Sequence, residues 1–287
     1  MIPAGFEYSR ATSVEEALLL LSRHGDGAKV LAGGQSLLPL MKLRVANVER
    51  LIDIGRLDAL RGIAALPDGR LSIGALTTYR ELLESDAVMR YGVLRDALPG
   101  IGDVQVRNRG TVGGAIAHAD PASDLPAILL ALEADVVARS TTGERTIPIA
   151  SFFEGSFQSA VRRDELVTSV ILPGGREDAG SAYRSLEQPA SGYSIVGVAV
   201  VVIVGGGGIR EARVGITGVG EVAYRARAVE AALAGSDGSA GSLAAAAAHA
   251  TDGVTVNADI HADAEYRAAM AAVHTRRALE AALARVT

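Results

Sequence analysis

The sequence contains no cysteine, and that absence removes several chemistries at once. A disulfide framework, a thiolate nucleophile and a cysteine-ligated zinc or iron–sulfur centre all require thiols. Tryptophan is absent and aromatics make up only 4% of the chain, so a base-stacking platform for nucleic acid is not expected. The net charge of −5 argues the same way, because nucleic-acid binders present a basic face. Long apolar runs are missing too. The longest, Ile195 to Val204, falls far short of the roughly 20 residues that span a bilayer. The opening Met1-Ile2-Pro3-Ala4-Gly5 has neither the basic start nor the apolar core of a signal peptide, so a cytoplasmic protein is expected.

What is present suits a folded chain of two or three domains. The 287 residues are 49% hydrophobic, enough to bury a substantial core. Thr12 with Glu15, or Ser13 with Glu16, offers a capping box ahead of Ala17–Leu21, and Gly25 and Gly27 end that helix. Lys29–Leu31 reads as a strand, Leu37–Leu43 as an irregular or short helical turn around Pro39, and Leu51–Ile54 as a strand. A second unit begins near residue 60. It contains a strand at Leu71–Ala75, a helix capped by Thr78 and Glu81, and a helix over Asp86–Leu98. A helix over Leu125–Glu133 follows, capped by Ser123 or Asp124, then strands at Asp135–Arg139, Thr146–Ile149 and Leu166–Leu172. Pro173–Asp178 reads as a linker. Beyond it come a strand at Ile195–Val204, a glycine hairpin turn at Gly205–Gly208, a return strand at Ile209–Thr217, and an Ala-rich tail of three helical segments, the last over Ala262–Val286.

Two glycine pairs carry the functional signal: Ala32-Gly33-Gly34-Gln35-Ser36 and Thr111-Val112-Gly113-Gly114-Ala115. A Gly-Gly pair lets backbone N–H groups converge on an anion without a Cβ in the way. Each pair alone is commonly a turn. Two of them, flanked by the hydroxyls of Ser36 and Thr111 and followed by Asp120 and Asp124, suggest a clamp around a dinucleotide. Asp124 reads either as an acceptor for a ribose or ribityl hydroxyl or as a helix N-cap, and the two roles are compatible. The pairs fit neither a P-loop nor a Rossmann fingerprint. The five histidines show no metal-ligand spacing, and no catalytic acid, base or nucleophile is marked.

The stretch Lys29-Val30-Leu31-Ala32-Gly33-Gly34-Gln35-Ser36-Leu37-Leu38-Pro39-Leu40-Met41-Lys42-Leu43-Arg44 resembles the first FAD motif of the medium, flavin-carrying subunit of molybdenum hydroxylases. Gln105 to Gly114 is similar to the second such motif, Ala117 to Pro126 continues the likeness, and Asp259–Arg267 with Arg276–Leu279 resembles the C-terminal domain. The family includes aerobic carbon monoxide dehydrogenase and xanthine dehydrogenase. The resemblance implies an α+β fold. A two-lobed FAD-binding domain of the vanillyl-alcohol oxidase type would cover 1–175, with lobes near 1–57 and 58–175. A C-terminal domain over 176–287 would hold a three-stranded antiparallel sheet with a helical bundle.

It further implies FAD contacts at Val30, Leu31, Ala32, Gly33, Gly34, Gln35, Ser36, Leu37, Ile101, Thr111, Gly113, Gly114 and Asp124. Lys29, Val112 and Asp120 stand in the same motifs as candidate cofactor-binding residues. Tyr193 sits where relatives carry an aromatic beside the isoalloxazine, and its other reading is an interdomain tyrosine. Ala115 replaces a frequent Asn, and Gln35 a His frequent in the carbon monoxide enzymes. The implied function is electron transfer through FAD within a heterotrimer, in which partner subunits hold molybdopterin and [2Fe-2S] clusters. A dimer of heterotrimers is expected, with the inner membrane face as a place of association through the electron acceptor. The alternatives are a self-sufficient flavin oxidoreductase of the same fold and a non-catalytic nucleotide-binding protein.

Overall fold

Three short parallel strands open the chain: β1 (Glu7–Arg10), β2 (Ala28–Leu31) and β3 (Arg50–Asp53), in the order β1-β3-β2. The computed structural model describes residues 2–286. Parallel strands need crossovers. Helix α1 (Val14–His24) links β1 to β2, and α2 (Leu37–Lys42) lies between β2 and β3. α1 buries Val14, Ala17, Leu18 and Leu21, one helical face at i, i+3, i+4, i+7. Its N-terminus divides the expected capping between two residues. Ser13 accepts the Glu16 N–H at 3.1 Å, while the Glu16 carboxylate accepts from the Thr12 N–H and hydroxyl at 2.7 and 2.6 Å. Pro39 falls in the first turn of α2, where no intrahelical donor is lost.

The second lobe is a five-stranded antiparallel sheet of β4 (Ile63–Ala65), β5 (Leu71–Gly74), β6 (Asp135–Ser140), β7 (Gly143–Pro148) and β10 (Leu166–Leu172), ordered β4-β5-β10-β6-β7. A small hairpin, β8 (Phe153–Gly155) with β9 (Gln158–Ser159), precedes β10. Six helices intervene between β5 and β6: α3 (Tyr79–Leu83), α4 (Asp86–Met89), α5 (Gly92–Ala97), α6 (Val104–Arg109), α7 (Val112–His118) and α8 (Asp124–Leu132). The capping box of Thr78 and Glu81 forms as the spacing predicts. The single helix expected over Asp86–Leu98 is instead two. α5 restarts at Gly92, whose backbone lies against the Ser181 carbonyl, and the Val93 N–H donates to the Ser181 hydroxyl at 3.1 Å. The break coincides with contact to a strand 88 residues away.

The C-terminal sheet is antiparallel: β11 (Ala179–Glu187), β12 (Ser194–Gly205), β13 (Gly208–Thr217) and β14 (Tyr224–Arg225). The expected three strands are joined by a fourth of two residues. One face packs on α8 and the other on α11 (Ala264–Leu283), with α9 (Arg227–Leu233) and α10 (Ala240–Ala247) beside it. Covered on both faces, β12 reads as a nearly unbroken apolar run. α8 is buried from Leu125 through Leu132 because it lies between the second-lobe core and this sheet. Among the described residues no helix is long and apolar enough to cross a membrane.

Candidate functional site

The two glycine motifs meet where the lobes meet. The chain leaves β2 and bends through Ala32–Ser36 with Gly34 in the left-handed region, φ +75°. Gly33 lies so close to Arg109 and Gly110 that a Cβ would overlap the Arg109 carbonyl. Glycine is therefore required at position 33 by the contact between lobes. Among the described residues, the backbone N–H groups of Gly33, Gly34, Gln35 and Ser36 have no protein acceptor. Four consecutive donors without an acceptor, one of them in a left-handed residue, are the kind of backbone that can hold an anion.

The second motif differs from the expected loop. It is the first turn of α7, with Thr111 as N-cap accepting the Gly114 N–H at 3.2 Å. Its amides are already spent: Val112 N–H donates to the Thr77 carbonyl at 3.0 Å and Gly113 N–H to the Ala75 carbonyl at 2.8 Å. Of the two motifs expected to form the clamp, only the first keeps free donors. The first motif offers amides, and the second ties α7 to β5 and α3.

A cleft of about 810 Å³ opens between the lobes. It is lined by the whole run from Lys29 to Leu37, by Ile101, Thr111, Gly113 and Gly114, and by Asp120, Asp124 and Tyr193. Val112 is the expected residue that does not line it; its side chain is 1% exposed and belongs to the second-lobe core. Tyr79, His118, Phe157 and Arg162 also line the cleft and were not legible as site residues. Phe157 has a positive φ of 59° and packs on the His118 ring with centroids 5.1 Å apart. Burial lowers the His118 pKa, which favours the neutral imidazole. Arg162 is fixed through Glu165, which accepts its N–H at 2.8 Å and pairs with Arg145 at 2.7 and 2.8 Å.

Tyr193 is 45% exposed, at the end of a turn closed by the Gln188 N–H bonded to its carbonyl at 2.8 Å. Asp120 accepts the Ala122 N–H at 2.9 Å. Neither Ser123 nor Asp124 caps α8 with its side chain, contrary to the cap reading. Asp124 instead accepts from the hydroxyls of Tyr183 and Ser194. Its pKa is raised by burial, against the opposing pull of those two hydroxyls. Among the described residues no group of three His, Cys, Asp or Glu side chains could hold a metal ion. Free amides, hydroxyls and a deep carboxyl in one cleft suit the phosphates and sugar hydroxyls of a dinucleotide.

Comparison with known proteins agrees with this chemistry. Residues 4–175 match the model of an FAD binding domain in molybdopterin dehydrogenase, and residues 181–282 that of a CO dehydrogenase flavoprotein C-terminal domain. The chain is 40% identical over 286 residues to the carbon monoxide dehydrogenase medium chain of Hydrogenophaga pseudoflava, covering 99% of each. It is 38% identical to subunit alpha of the 6-hydroxypseudooxynicotine dehydrogenase complex of Paenarthrobacter nicotinovorans, covering 99% of this chain and 97% of that one. A solved structure of carbon monoxide dehydrogenase from Hydrogenophaga pseudoflava superposes with a TM-score of 0.96 at 41% identity, covering 100% of both chains.

Proposed function

The chain belongs to the family of FAD-binding medium subunits of molybdenum hydroxylases and is an oxidoreductase subunit, and from that premise we propose that it carries electrons from iron–sulfur clusters on a partner chain to an external acceptor. FAD bound in the cleft supplies the redox chemistry. The protein's part is to hold and shield it. The free N–H groups of Gly33 to Ser36 would hold the phosphates, Asp124 would accept from a sugar hydroxyl, and Tyr193 would shield the ring system.

The observation that carries this reading is the run of four free amides lining a cleft shared by two lobes and Tyr193. The absence of cysteine supports the division of labour, since the thiolate ligands of iron–sulfur clusters must come from another chain. We assign the partners as a large molybdopterin subunit and a small iron–sulfur subunit, with two heterotrimers in a cytoplasmic complex. We read residues 1–175 as a two-lobed domain of the vanillyl-alcohol oxidase type, with lobes near 1–57 and 58–175, and 176–287 as the C-terminal domain.

The purified chain, reconstituted with FAD, tests this. Acid should release the flavin, because neither glycine motif holds a residue that would link to it covalently. Dithionite should reduce the flavin, while carbon monoxide, aldehydes and N-heterocycles should not until both partner subunits are added. Reduction of the isolated chain by one of those substrates would replace this reading with a self-sufficient flavoenzyme.

A further inference from the structure

Asp124 is held in the cleft from another part of the molecule. It occupies the first position of α8, yet both hydroxyls bonded to it come from the C-terminal sheet: Tyr183 from β11, and Ser194 from β12 at 2.5 Å. Both donate to Oδ1 and lie 3.3 Å from each other. Tyr183 and Ser194 are buried behind the carboxyl, while Asp124 itself lines the cleft. The arrangement is built into the strand pairing. A Cβ on Gly197 would overlap the Tyr183 hydroxyl, so glycine at that point of β12 makes room for it. With Oδ1 doubly occupied, Oδ2 takes no side-chain donor among the described residues.

We propose that Tyr183 and Ser194 are positioning residues that hold Asp124 as an ionised acceptor for a sugar hydroxyl of the bound dinucleotide, so that the C-terminal sheet sets cofactor affinity. The proposal rests on the reading of this cleft as the FAD site. An ionised carboxylate only accepts, and a carboxylate fixed by two donors on one oxygen presents the other in a defined direction. The titratable groups around it are Tyr183 and Glu187 on β11, Tyr79 on α3, Tyr193 and, lining the same cleft from α7, His118, whose lowered pKa favours the neutral ring. None is a cation. Burial and Glu187 therefore push the Asp124 pKa up, and only Ser194 and Tyr183 among the neighbouring side chains pull it down.

The sign follows from linkage. A ligand hydroxyl donating to Asp124 favours the ionised form, so FAD binding releases a proton where Asp124 is protonated in the free protein. FAD affinity then rises with pH through the raised Asp124 pKa. Removing either hydroxyl destabilises the carboxylate and moves that rise to higher pH.

The apoprotein should be titrated with FAD by calorimetry in buffers of different ionisation enthalpy, from about pH 5 to about pH 9. The wild type should show proton release on binding and affinity that climbs with pH. Asp124→Asn should bind FAD roughly 10–100-fold more weakly at the alkaline end, with a flat profile. Tyr183→Phe and Ser194→Ala should each move the midpoint upward by about one pH unit. Asp124→Asn that binds FAD as tightly as the wild type at the alkaline end would overturn the proposal. So would hydroxyl variants that weaken binding equally at every pH, since that is what a purely structural role predicts. An apoprotein that binds no FAD at any pH would overturn the cofactor reading itself, and the proposal with it.

Discussion

Asp96 is the most heavily bonded carboxylate between the second lobe and the C-terminal sheet, and its removal should loosen that junction by a calculable amount. It sits on α5 and accepts from both terminal nitrogens of Arg285 at 2.8 Å. Arg184 donates to it at 2.9 Å and the Tyr183 N–H at 3.1 Å. The Asp96 side chain is 13% exposed, while those of Arg285 and Arg184 are 28% and 38% exposed. Breaking a fully buried pair costs about 3–5 kcal/mol. The arginines here reach water once orphaned, so Asp96→Ala should cost about 2–3 kcal/mol. That corresponds to a fall in Tm of roughly 4–12 °C.

The acid dependence is the sharper test. Burial pushes the Asp96 pKa up, but Arg285, the Tyr183 N–H and Arg184 together bring it below the ordinary carboxylate value. Its stabilisation is therefore fully present above the unfolded value of about 4 and is lost as the pH falls through the lower folded value. Denaturation followed by circular dichroism should show a constant gap between wild type and Asp96→Ala above about pH 5, closing in stronger acid. A gap under about 0.5 kcal/mol, or one that persists undiminished in acid, would refute the reasoning.

Three further substitutions probe the cleft. Gly33→Ala drives a methyl into the Arg109 carbonyl and should lower the flavin-to-protein ratio by separating the lobes; full occupancy with unchanged melting would contradict the contact. Tyr193→Ala should change the flavin absorption envelope and reoxidation rate more than stability, because the side chain is half exposed; earlier melting with an unchanged spectrum would make it a structural residue. Glu165→Gln removes the charge facing Arg145 and should cost about 2–4 kcal/mol while accelerating FAD release, measured by flavin fluorescence, through a loosened Arg162. Release at the wild-type rate would detach that loop from cofactor retention.

What could be read from the sequence was what neighbouring residues decide. The Thr78 and Glu81 capping box, the Gly25 stop of α1 and the apolar run of β12 each depend on a few residues in a row. Elements decided from a distance were missed or misread. Glu7–Arg10 is polar and mostly exposed, and it becomes a strand only by pairing with β3, more than forty residues on. Asp124 looks like a cap because it begins a helix, yet the partners that claim its carboxyl lie 59 and 70 residues away.

The glycine motifs divide along the same line. Sequence locates both pairs and the flanking Thr111 and Ser36, but which pair keeps free amides is a tertiary matter. Thr77 and Ala75 consume those of the second motif, and no protein acceptor reaches those of the first among the described residues. Val112 follows the same division. It stands inside the motif by spacing, but the helical turn that begins at Thr111 rotates it into the core while Gly113 and Gly114 remain at the cleft. A motif thus identifies the stretch of chain that meets a ligand. The lobe-to-lobe contact at Gly33 and the C-terminal hydroxyls behind Asp124 decide which atoms of that stretch are left to do so.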